Sequence, residues 1–461
     1  MTSSAEVQSD GGGQRPDSLY RKLKPRPGHS GQRVAEHQRS RIHAATIELV
    51  NERGYDGLTV IGIARAAGIS NRTFYENFKG KEDCFLATYE LIVRHTAREV
   101  LAARHRERGW RAKLRAGFLA FAREVADNPK AARLALVEAF TTGASSARMG
   151  HTNGLFETLV ADSLARDDSP VDLPPLIVKG IVAGATRIAR VRLLAGEEQH
   201  LSGDADELLD WALSLHSPAA GEVCTGSVEI LRTAAARPAQ VERGAAPFAD
   251  RELAGDERTM ILSAVVQLAA TEEYGALTVP RIRAAAGISR RRFEAHFKGV
   301  SDCFLAALEL LAARALARAK AAYLSADDWP RGIHRACVSF CREVADDPVL
   351  VRLAFFEIVA PGHEGIEWRV NLIGEFSSLL RCTAPPGQRP SKLIAGASAG
   401  AAWAVLHHYA MTGRAQQAPG ITGTVAYLLL APAIGAEAAA EVIRSEEREA
   451  AGRAFAADLS R

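Results

Sequence analysis

The stretch GISNRTFYENFKGKEDCF, Gly68 to Phe85, returns as GISRRRFEAHFKGVSDCF at Gly287 to Phe304, 219 positions later (287 minus 68) and without a gap. The same offset carries YDGLTVIGIARAAGIS from Tyr55 onto YGALTVPRIRAAAGIS from Tyr274, and FAREVADNP from Phe121 onto FCREVADDP from Phe340. Trp110 meets Trp329 and Glu138 meets Glu357 in the same register. Further along the offset slips to 216, pairing Gly180 and Gly184 with Gly396 and Gly400. Stacked solenoid units repeat every ~20–50 residues, so a period this long marks a duplicated domain pair. A chain of 461 residues also exceeds one ordinary hydrophobic core.

The residues favour helix. Apolar residues make up 47% and aromatics only 6%, and Ala and Leu dominate. No convincing period-two strand segment appears, so the expected fold class is all-α, in two tandem units. The net charge is +3, so a nucleic-acid surface has to be local rather than global. The cysteines form no CxxC, and no His cluster has metal-ligand spacing. Cys337 and Cys341 share a helical face and read as buried small residues. No P-loop, GxSxG or HExxH is present. The reading is therefore not an enzyme, with no cofactor. No signal-peptide core or charge-free apolar run of membrane length stands out, so a cytoplasmic location without membrane attachment is expected.

Residues 55–85 have the mechanics of a helix-turn-helix. Thr59 is placed to cap a short helix over Val60–Ala67, and Gly68 to end it with positive φ. Ser70 or Asn71 caps the next helix, on which Phe74 and Phe78 share one face and must be buried. The other face carries Asn71, Arg72, Thr73, Tyr75 and Asn77. A helix of this kind fits the major groove, where Arg pairs with guanine and Asn with adenine. Tyr75 and Lys81 suit phosphates. Upstream, Arg15 to Arg41 holds eight Lys/Arg against Asp17 and Glu36, a local charge of +6 (8 minus 2). A flexible arm of that charge can track phosphates or enter a minor groove.

TVIGIARAAGISNRTFYENFKGKEDCF, residues 59–85, resembles the TetR family of bacterial transcriptional regulators. The resemblance implies an N-terminal DNA-binding unit followed by a helical domain that binds a small effector and dimerises through its last two helices. It also implies DNA contact at Thr59, Asn71, Arg72, Thr73, Tyr75, Asn77 and Lys81. The corresponding candidates in the second copy are Thr278, Arg290, Arg291, Arg292, His296 and Lys298. That copy departs at Glu294, in place of Tyr75, and at Val300, in place of Lys81. Phosphate repels the first, and the second carries no charge, so the second head is expected to read DNA more weakly.

These readings divide the chain into an arm (1–39), a first helix-turn-helix domain (40–85), a first regulatory domain (86–216) and a linker (217–255). A second helix-turn-helix-like domain (256–304), a second regulatory domain (305–445) and a tail (446–461) follow. Small-residue helices over Pro175–Ala195 and Lys392–Met411, followed by apolar helices near Asp204–Leu215 and Gly423–Val442, suit either an interface or tight packing within a domain. Trp403, His407, His408 and Tyr409 are placed either to touch a ligand or to fill core. The expected function is a repressor released by an unidentified small molecule, its partner a double-stranded operator. The expected assembly is an intramolecular pseudo-dimer, alternatively a homodimer of chains. The rival is a protein-interaction adaptor whose helix-turn-helix units no longer bind DNA.

Overall fold

In the computed structural model, the described residues are 31–141, 154–162, 173–224 and 256–459, and among them there is no strand. The first half contains α1 (Gly31–Arg53), α2 (Val60–Ala67), α3 (Asn71–Asn77), α4 (Lys81–His105), α5 (Trp110–Asp127) and α6 (Pro129–Leu136). It continues with α7 (154–162), α8 (Pro175–Ala195), α9 (Leu201–Ser214) and α10 (Pro218–Val223). The second half contains α11 (Glu257–Thr271), α12 (Val279–Ala286), α13 (Arg290–His296), α14 (Val300–Leu324), α15 (Trp329–Asp346) and α16 (Pro348–Val351). It ends with α17 (His363–Thr383), α18 (Lys392–Met411), α19 (Thr422–Ile434) and α20 (Ala436–Leu459).

The repeated glutamates have the same task in both halves. Glu357 accepts a hydrogen bond from the Tyr274 backbone N–H at 3.1 Å. Glu138, buried, is bonded to the backbone of Tyr55. Each fastens the loop before a helix-turn-helix to the body behind it.

Several sequence boundaries move. Residues 31–39, read above as flexible arm, belong to α1, because Gln, Arg, Ala and Glu extend an established helix at little cost. Residues 1–30, with most of the basic arm, lie outside the described residues. The proposed linker starts with α10, capped by Ser217 and buried at Ala219 and Ala220; 225–255 are not described. The helix expected over Gly423–Val442 is two helices, since Gly435 turns the chain at φ +88°; Pro432 is accommodated inside the first of them. The tail is helical: α20 runs to Leu459, and Glu446 on it is buried, accepting from Arg335 Nε at 2.8 Å. Moreover, the boundaries at 85/86 and 304/305 fall inside α4 and α14, so each head and its body share one continuous helix.

The halves meet where α8 crosses α18, flanked by α9 and α19. Small residues allow the approach. A Cβ on Gly184 would sit 2.7 Å from the Ala397 carbonyl oxygen, and one on Gly180 3.0 Å from Leu428. Hydrogen bonds cross the seam as well. Trp211 Nε1 donates to Ser398 Oγ at 2.9 Å, Arg187 Nε to the Gly396 carbonyl at 3.1 Å, and Tyr427 OH to the Leu215 carbonyl at 3.3 Å. The stretch Ala415–Ile434 is long and apolar enough to cross a membrane, but it lies mostly buried inside this core.

Candidate nucleic-acid interface

Local chemistry builds the first head. Thr59 Oγ1 accepts from the Gly62 N–H at 3.0 Å and opens α2. Gly68 closes it at φ +64°, and a side chain there would strike the Arg41 guanidinium, which donates to the Gly68 carbonyl at 2.9 Å. Ser70 Oγ accepts from the Thr73 N–H at 3.0 Å and opens α3. Phe74 and Phe78 are both buried, with ring centroids 5.8 Å apart.

With those rings anchored, α3 turns its other face to solvent. Asn71, Arg72 and Tyr75 are exposed, the Arg72 side chain at 89% and Tyr75 at 59%. Arg72 Nε makes only a surface pair with Glu76 at 3.2 Å, which costs little to exchange for a base. Thr73 and Asn77 are half-buried and already engaged. Thr73 Oγ1 shares a 3.0 Å hydrogen bond with Ser70, and Asn77 donates to the Thr73 carbonyl at 2.8 Å while accepting from Arg39 Nε at 3.3 Å. Lys81 begins α4 with its ammonium 4.7 Å from the Tyr55 ring centre. Arg39, whose guanidinium lies 5.9 Å from the Phe78 ring, and Arg41 thus buttress the helix-turn-helix instead of belonging to a free arm.

The second head repeats the scaffold and changes the surface. Gly287 takes φ +66°, Ser289 caps α13, and Phe293 and Phe297 are buried. Thr278 sits at the cap position of α12 without a side-chain cap bond. Arg290, Arg291, Arg292, His296 and Lys298 are all exposed. Arg290 Nε pairs with Glu294 at 2.7 Å, and Glu257 of α11 pairs with both Arg292 (3.1 Å) and His296 (3.6 Å). The contact to Glu257 is invisible to a reading of α13 alone.

Behind the first head, α4, α5, α7 and α8 enclose a cavity of about 60 Å³ with apolar walls that include Leu114, Phe118, Phe121 and Phe156. Arg104 of α4 also lines it, 8% exposed, with no hydrogen-bond partner for Nε among the described residues. Burial works against its charge, which Asp162 of α7 partly supports. The matching cavity of the second half, about 20 Å³, has no charged lining, and Trp403 stacks on Phe355 there at 4.7 Å. Tyr409 is core, and burial lowers the imidazoles of His407 and His408 to about 3 and about 4.

An exposed polar helix face held on two buried phenylalanines, after a capped helix and a left-handed glycine, defines a helix-turn-helix protein of all-α fold. Residues 42–88 match the family model described as bacterial regulatory proteins, tetR family. Among solved structures, the chain is similar to the fatty acid degradation regulator FadR from Bacillus halodurans at 17% identity and a TM-score of 0.35, over 41% of this chain and 97% of that one. It is similar to a TetR-like transcriptional regulator from Rhodococcus sp. RHA1 at 18% identity and a TM-score of 0.34, over 40% and 99%. A third likeness is to the transcriptional regulator FadR from Bacillus subtilis in complex with stearoyl-CoA, at 15% identity and a TM-score of 0.33, over 37% and 96%. No curated protein sequence matches the chain.

Proposed function

We propose that this chain is a sequence-specific DNA-binding transcriptional regulator, a repressor released by a small molecule, with two unequal reading heads on a single-chain pseudo-dimer. The face of α3 carries the proposal: Asn71, Arg72 and Tyr75 stand in solvent on a helix whose opposite side is locked by Phe74 and Phe78. Arg72 and Asn71 suit base edges, and Tyr75, Lys81 and Thr59 suit the backbone. The seam supports pairing within one chain, because its contacts are unlike on the two sides. Trp211 and Arg187 come from one half, Ser398 and Tyr427 from the other. The Trp211–Ser398 bond in particular is closed to two copies of the first half, which has Val182 where the second has Ser398.

The effector belongs in the first cavity. Its walls suit an apolar body, and Arg104 suits a carboxylate on it. The helix that carries Val100 and Arg104 into that cavity begins at Lys81, on the proposed DNA surface. A ligand that displaces α4 thereby tilts α3 out of the groove.

Capture of genomic fragments followed by gel shift tests the reading. Salt-sensitive binding to particular fragments, weakened in Arg72→Ala, is the expected outcome; no selective binding at any salt concentration refutes it. Light scattering should give a mass near 49 kDa, whereas a stable species of twice that mass makes the homodimer the working form.

A further inference from the structure

The two recognition helices differ in what stands beside them. At the N-terminal end of α11, Asp256 and Glu257 face α13. The offset of 219 puts His37 and Gln38, neither of them a carboxylate, at the corresponding places of the first half. Asp256 spends its carboxylate on its own helix, accepting from the Thr259 N–H at 2.8 Å. Glu257 spends its carboxylate on the neighbour: one oxygen lies 3.1 Å from Arg292 Nε and the other 3.6 Å from His296 Nε2. Arg292 corresponds to Thr73 and His296 to Asn77, two positions of the first recognition helix.

We propose that Glu257 is a clamp that withholds the second recognition helix from DNA, so that the second head reads weakly by design and not by decay. The clamp rests on the proposed DNA-binding function. Its logic is electrostatic. Glu257 competes with an incoming phosphate for the Arg292 guanidinium, and its carboxylate repels that phosphate. Glu294 pairs with Arg290 within α13, as Glu76 does with Arg72 within α3, so that pair does not distinguish the two heads. Among the described residues Arg291 has no ion pair, so the head keeps a ready cation on α13. A surface pair of this kind is weak in stability, so its removal should leave the fold unchanged and act on binding alone.

The test uses the full chain with Arg72→Ala and Lys81→Ala, which together weaken the first head, and a fluorescent mixed-sequence duplex as probe. Adding Glu257→Gln should raise affinity at low salt about threefold or more and steepen the log–log salt dependence by about one unit, as one further phosphate contact would. In an Arg292→Ala background the same change should bring little gain, because the clamp acts through that arginine. An unchanged affinity in Glu257→Gln, while the unaltered chain binds DNA, removes the clamp alone. A gain of equal size in the Arg292→Ala background also removes it, reducing Glu257 to simple repulsion. Absence of DNA binding by the unaltered chain removes both the clamp and the proposed function.

Discussion

The cores of the two heads are built on one scaffold and differ in polarity. In the first, His43 Nδ1 and Thr88 Oγ1 share a buried 2.8 Å hydrogen bond, and Thr46 Oγ1 meets Cys84 Sγ at 3.3 Å. In the second, the corresponding positions are Leu262, Ala307, Val265 and Cys303, all buried. The connections differ too. Phe74, Phe78, Phe85 and Ile63 form a hydrophobic cluster of their own with α1, α4 and α6, whereas Phe293, Phe297 and Ile282 belong to the cluster that fills the rest of the molecule. Equivalent helices therefore have unequal support. The head with the free reading face has the more polar and more separate core, and the head with the clamped face is fastened to the body.

The largest test of that contrast is cavity creation. Phe74→Ala and Phe293→Ala should each cost ~3–5 kcal/mol of the stability of the core they belong to. Followed by hydrogen exchange, Phe74→Ala should open the first head while the second half stays protected, and Phe293→Ala should weaken both the second head and the seam. Identical exchange patterns from the two variants would mean the cores are one.

Acid comes next. Burial, helped by the nearby Arg39, holds the His43 imidazole down at about 4, against about 6.5 in an unfolded chain. Below about 6.5 the unfolded state takes up the proton first, so the first head loses stability as the pH falls from about 6.5 towards 4, by at most ~1.4 kcal/mol per unit. Leu262 gives the second head no such term. His43→Leu should flatten the pH dependence of exchange in the first head, and an unaltered slope would break the assignment.

Smaller effects belong to the reading faces. Arg72→Ala should cost ~1–3 kcal/mol on the captured site and relax discrimination at one base pair. Arg291→Ala should cost less. The reverse ranking, measured by titration on one duplex, would exchange the roles of the two heads. Lys81→Ala should weaken all duplexes alike and flatten the salt dependence by about one unit, while Val300→Lys should steepen it by a similar amount. No change in either slope would remove Lys81 from the phosphate contacts.

What was legible in the sequence was local or repeated. The duplication is read directly from the offset. The helix-turn-helix follows from side chains within four residues of one another: Thr59 on the Gly62 N–H, Ser70 on the Thr73 N–H, and Phe74 with Phe78 on one face. The bounds of the small-residue helices Pro175–Ala195 and Lys392–Met411 also stand as read. Only the tertiary structure decided what depended on distant partners. Glu257 acts on Arg292 and His296, about forty residues along the chain, and Trp211 on Ser398, 187 residues away. The helical stretch 31–39 is polar and 446–459 mixes charge with alanine, and each suits a helix or a tail equally well; Glu446, at the start of the latter, is held by Arg331 and Arg335 of α15. Capping and helical periodicity are set within a turn or two of chain, so a sequence displays them. Ion pairs, seams and cavities arise where separate helices meet, and nothing in the chain between those helices records which of them will be neighbours.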